Sequence, residues 1–154
     1  MTSLNFAVLL VARICLVGMF PLSALEKVFD WKAALEQASS SWLPGGPALL
    51  IMAIAIEAIT PVCIVFGWHD RAAAFVLAGF CVITALLYHR FWAFPNFWSD
   101  PHGQARAHFW EFVKNFGLVG GLLLVVFAGS LAEPRDVLAH PLGSSYDQGA
   151  KAPR

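Results

Sequence analysis

Four apolar runs, each long enough to cross a lipid bilayer, decide what this 154-residue chain can fold into. They cover residues 4–25, 47–68, 72–91 and 112–131, and a helix needs roughly 20 residues to traverse the hydrocarbon core. Backbone amides and carbonyls find no water in lipid, so each run must satisfy its own hydrogen bonds as a helix rather than as an open strand. The expected fold is an all-α membrane protein, a four-transmembrane-helix bundle. Composition agrees, since 58% of residues are hydrophobic and 13% charged, a balance unlike that of a soluble domain of average usage. A formal net charge of zero gives nucleic acid no electrostatic footing. The first run has no positive residue ahead of it and carries Arg13 within it, which reads as a retained span rather than a signal peptide.

The connections differ in length, and the difference orients the bundle. Two long loops, 26–46 and 92–111, fall on one side of the membrane, while the turn at 68–71 is short. With the long loops go Trp31, Trp42, Trp92, Trp98 and Trp110, together with Phe29, Phe94, Phe97 and Phe109. Aromatic enrichment of this kind marks anchoring at the level of the lipid headgroups. This aromatic face also holds Lys27, Lys32, Arg90, Arg106 and Lys114, against Arg71 and Arg135 near the opposite span ends. The positive-inside rule therefore puts it in the cytoplasm and both termini on the outer side. Residues 1–131 form the transmembrane domain, and the polar stretch 132–154, rich in Pro, Gly and Ser, reads as a flexible tail with too few apolar residues to build a core.

Chemistry must come from the polar residues inside the spans. Counted at about 1.5 Å per residue, Glu57 lies roughly 16 Å and Arg13 roughly 18 Å from the aromatic end of their spans. Similar depth on consecutive spans suggests an Arg13–Glu57 ion pair, the usual fate of charge within a membrane. Pro61 and Pro21 each deprive a carbonyl of its helical partner, that of Glu57 and that of Val17, so kinked helices around an acid and a base would enclose a polar pocket. A pair that merely locks helix packing explains the same residues. Nearer the aromatic face, Lys27, His89, Lys114 and Asn115 converge at one mouth of an antiparallel bundle. Snorkelling to headgroups accounts equally for the lysines, but an amide has no charge to bring to lipid, which points Asn115 inward. Gly117 and Gly121 form a small-x-x-x-small face for close helix approach.

Other chemistries find little support. Cys15, Cys63 and Cys81 stand singly on three spans with no C-x-x-C pair. A haem would need histidines facing one another within the bundle, and His89 and His108 both lie near its rim. No metal-ligand spacing, phosphate loop or nucleophile motif is present, so no catalytic or metal-binding residue is expected.

Arg13 in span one, the Leu25-Glu26-Lys27 exit from it, Glu57 with the small and apolar run to Gly67, HRFW at 89–92 and FVKNFGLVGGLLLVV at 112–126 together resemble the DoxX family of four-span membrane proteins. The resemblance covers about residues 5–131 and is most specific at the opening of the last helix. At the end of span one, where such proteins often carry glycine, this chain has Ser23-Ala24. The resemblance implies a bundle in a bacterial or archaeal cytoplasmic (inner) membrane. It also implies association with quinone-linked respiratory or redox oxidoreductases as a subunit that anchors partners and binds quinone or lipid, with recurrent polar positions at Arg13, Lys27, Glu57, His89 and Asn115. Oxidoreductase subunits or further copies of the chain are then the expected partners. The alternative is a small carrier or exchanger gated by Arg13 and Glu57.

Overall fold

Packing in this protein is inverted relative to a soluble domain. In the computed structural model, which describes residues 3–40, 43–127 and 142, large apolar side chains such as Val8, Ile59, Phe75 and Leu124 point outward, while Arg13, Glu57, Asp70 and Arg71 are buried. Lipid rather than water accepts the outward surface, so apolar burial does not drive the helices together and close packing and polar contacts must.

Among the described residues the elements are α1 (Ser3–Val17), α2 (Met19–Phe29), α3 (Trp31–Ser39), α4 (Gly46–Phe66), α5 (Asp70–Tyr88), a 3-10 turn (Phe91–Ala93) and α6 (Gln104–Phe127). Four stretches are long and apolar enough to cross a membrane: Phe6–Phe29, Gly46–Phe66, Asp70–Ala93 and Gln104–Phe127. The expected four-span all-α bundle is therefore present. Helix α5 is its central post, packed against both α4 and α6. Its inner face is built from Ala73, Ala74, Ala78, Cys81 and Ala85 with Leu77, and these small side chains let neighbours approach closely.

Span one is two helices. Its interruption falls at Gly18, where an added Cβ would stand 2.8 Å from the Ile14 carbonyl oxygen, so glycine is required. Pro21 then lies in the first turn of α2, where a missing amide hydrogen costs little. Helix α4, by contrast, continues through Pro61. It ends at Gly67 with φ 71°, the left-handed terminus that glycine adopts without strain. A two-residue link then starts α5.

The long connections contain more helix than the apolar runs indicate. Loop one holds α3, whose start is capped by Asp30 accepting from the Ala33 amide at 3.3 Å. In loop three, α6 begins at Gln104 rather than near residue 112, because QARAHFWE is amphipathic and helical without being apolar throughout. Phe91 organises that loop, its ring 5.1–5.8 Å from those of Trp92, Phe97, Phe109 and Phe112. Arg106 sits 4.8 Å above the Phe97 ring, a cation–π contact. Trp42 and the tail lie outside the described residues, except for Leu142, whose carbonyl oxygen is 2.8 Å from Nδ1 of His69.

Candidate functional site

The expected Arg13–Glu57 pair is replaced by two separate pairs. Nη1 of Arg13 donates to Oδ2 of Asp70 at 2.8 Å and to the carbonyl of Ile64 at 2.6 Å. Nζ of Lys27 donates to Oε1 and Oε2 of Glu57 at 3.0 and 2.8 Å, and Ser23, one helical turn before Lys27, bridges the two through its hydroxyl. The physical reason is register. Span one runs to Phe29, four residues past the expected end, which sets Arg13 about 24 Å from the aromatic end. That matches Ile64, about 27 Å down α4, and not Glu57, about 16 Å down. Arg13 thus caps the last turn of α4, where carbonyls carry the negative end of the helix dipole, while Asp70 occupies the positive first turn of α5.

Asp70 and Arg71 were not singled out by sequence reasoning as site residues, yet they are 0% and 1% exposed. A signal was available: the link between two spans is too short to carry charge clear of the bundle, so an Asp-Arg dipeptide there must be paired or buried.

At the aromatic end α2, α3, α4, α5 and α6 enclose a cavity of about 390 Å³. Apolar residues, Phe20, Leu50, Phe80 and Leu118 among them, form much of the wall. Lys27, Glu57, His89 and Asn115 reach it, joined by Ser23, Thr84 and Tyr88, and Glu26, Asp30 and Glu111 stand around it. The structure therefore brings together three of the four residues expected at the mouth and adds Glu57 to them. His89 terminates α5, its amide donating to the Ala85 carbonyl at 3.0 Å, while its Nδ1 is buried without a hydrogen-bond partner. Its ring lies 5.9 Å from that of His108, which stacks on Phe94 at 4.8 Å. Asn115 spends one amide hydrogen on the Glu111 carbonyl at 3.0 Å and keeps a second donor and its oxygen.

Lys114 does not join this cavity. It is exposed and bound to Oε1 of Glu111 at 2.6 Å across one turn of α6, and with Gly117 and Met19 it borders a neighbouring groove. The position fits snorkelling, because consecutive residues on a helix diverge by about 100° and Asn115 takes the inward direction. The glycine face divides similarly. A Cβ at Gly121 would come within 2.7 Å of Cδ1 of Leu16 on α1, whereas one at Gly117 meets nothing within 4 Å. Close approach to span one is confined to Gly121. Among the described residues no group of three or more potential metal ligands is found.

A four-span helical bundle with two intramembrane ion pairs and a cavity at its aromatic end defines a polytopic membrane protein with an internal cavity. The chain belongs to the DoxX family, whose model matches residues 8–90. It is similar to two proteins of Escherichia coli strain K12: Inner membrane protein YphA, 26% identical over 79% of this chain and 82% of the relative, and Inner membrane protein YqjF, 28% identical over 78% and 82%. No solved structure matches it.

Proposed function

We propose that this chain is a multi-pass subunit of a bacterial inner membrane that holds a quinone, or a lipid in its place, for a quinone-linked oxidoreductase. The observation that carries the reading is the cavity at the aromatic end. Its volume of about 390 Å³ falls within the roughly 300–1,000 Å³ of small-molecule sites, and it combines apolar walls with a few polar groups that fix orientation. His89 lines the cavity and its Nδ1 has no protein partner, and Asn115 on the opposing helix keeps a free amide hydrogen. Both suit the carbonyl oxygens of a quinone, and an imidazole can also pass a proton near neutral pH. The names of the E. coli relatives support the inner-membrane location. With the aromatic face toward the cytoplasm, the cavity opens where soluble redox partners dock.

A carrier reading has lost its gate, since Arg13 and Glu57 are each paired elsewhere, and four spans are few for alternating access without a second copy.

Purification in mild detergent followed by quinone extraction tests the reading. His89→Ala and Asn115→Leu are each expected to lower the quinone-to-protein ratio about fivefold, the effect of losing one hydrogen bond of about 1 kcal/mol. Unchanged quinone content in both variants, with unchanged turnover of any co-purified oxidoreductase, contradicts it.

A further inference from the structure

At the end of the bundle remote from the cavity lies a buried guanidinium with no hydrogen-bond partner among the described residues. Arg71, the second residue of α5, is 1% exposed, and its Nε, Nη1 and Nη2 are all buried without a hydrogen-bond partner. The adjacent carboxylate, Asp70, is paired with Arg13. Arginine keeps its charge in proteins, and a buried ion without a partner is among the most costly arrangements a fold can hold. The residue before α5, His69, supplies no side-chain cap, and the first amides of a helix have no intrahelical acceptor.

We propose that Arg71 and the N-terminal turn of α5 form a binding site for a phosphate-class oxyanion. A guanidinium fork offers two parallel N–H donors to a pair of phosphate oxygens, and a helix N-terminus adds amide donors and the positive end of its dipole. The site lies at the junction of two spans, where lipid headgroups lie, so the phosphate comes from a phospholipid or from free phosphate. Its position at the opposite end of α4 and α5 makes it independent of the quinone cavity.

The test uses the full chain in a neutral detergent, delipidated, with phosphorus content measured and thermal unfolding followed upon addition of phosphatidylglycerol or inorganic phosphate. Retained phosphorus, or a rise in Tm with either probe, is expected. A response to phosphatidylglycerol alone assigns the site to a lipid headgroup, and a response to inorganic phosphate assigns it to the free anion. In Arg71→Lys, which keeps the charge but loses the fork, the apparent Kd should weaken about tenfold, equivalent to about 1.4 kcal/mol, and in Arg71→Met the response should vanish. Should Arg71→Met fail to fold, the lysine variant and the phosphorus content of the wild type decide. Phosphorus-free protein whose Tm ignores both probes, or a response to the probes undiminished by the lysine variant, overturns the site.

Discussion

Arg13→Leu is expected to cost about 3–5 kcal/mol of stability, the range for removing one partner of a buried ion pair. Asp70 is fully buried, and Arg13 is the donor that holds its Oδ2 at 2.8 Å. The Ile64 carbonyl, in the last turn of α4, would also lose the donor that Arg13 supplies at 2.6 Å. Asp70→Asn should be milder, because an amide still accepts from a guanidinium, whereas Asp70→Leu should match Arg13→Leu. The double replacement Arg13→Leu/Asp70→Leu should recover part of the loss, giving a coupling of about 1–3 kcal/mol. Unfolding in graded SDS measures all four proteins. Strict additivity would mean that the 2.8 Å contact contributes nothing specific to the fold.

The second large effect lies at the cavity. Lys27→Met should destabilise by about 2–3 kcal/mol, less than Arg13→Leu because Lys27 is only half-buried and solvent or headgroups soften the loss. Glu57, 5% exposed, would keep only the Ser23 hydroxyl at 3.4 Å. Glu57→Gln preserves an acceptor for Lys27 and should cost about 1 kcal/mol, comparable to one ordinary hydrogen bond. The same SDS titration separates this pair from Arg13–Asp70, since the hydrogen bonds of Lys27 and Glu57 run to one another and to Ser23 and the effects of the two clusters should add. A combined variant Arg13→Leu/Glu57→Gln that loses much less than the sum of its parts would restore the direct Arg13–Glu57 link that the geometry replaces.

The spans were legible because lipid imposes one simple demand, a long apolar helix, and four runs meet it. The ion pairs were less legible because depth counted from a span end inherits the error in that end. The four residues by which span one overruns Leu25 correspond to about 6 Å, roughly one helical turn, and one turn is enough to exchange Glu57 for Asp70 as the partner of Arg13. Asp70 and Arg71 escaped notice as site residues since a charged dipeptide in a tight turn looks like a solvated corner. In the fold, Arg13 of α1 reaches the α4–α5 turn through Ile64 and Asp70, and the dipeptide is interior. The gathering of Lys27, His89 and Asn115 was readable from their shared level in the bundle. The exclusion of Lys114 was not, because adjacent positions on α6 look alike until the helix is rotated against its neighbours.

The cavity is the centre of the functional account, and photolabelling with a quinone analogue bearing a reactive group tests it most directly. Mapped by mass spectrometry on the purified full chain, adducts should fall on the wall segments containing Phe20, Tyr88, His89 and Leu118 and should disappear when unlabelled quinone is added. Adducts confined to lipid-facing residues such as Val8, Ile59 and Leu124, undiminished by that competition, would contradict a quinone site in this bundle.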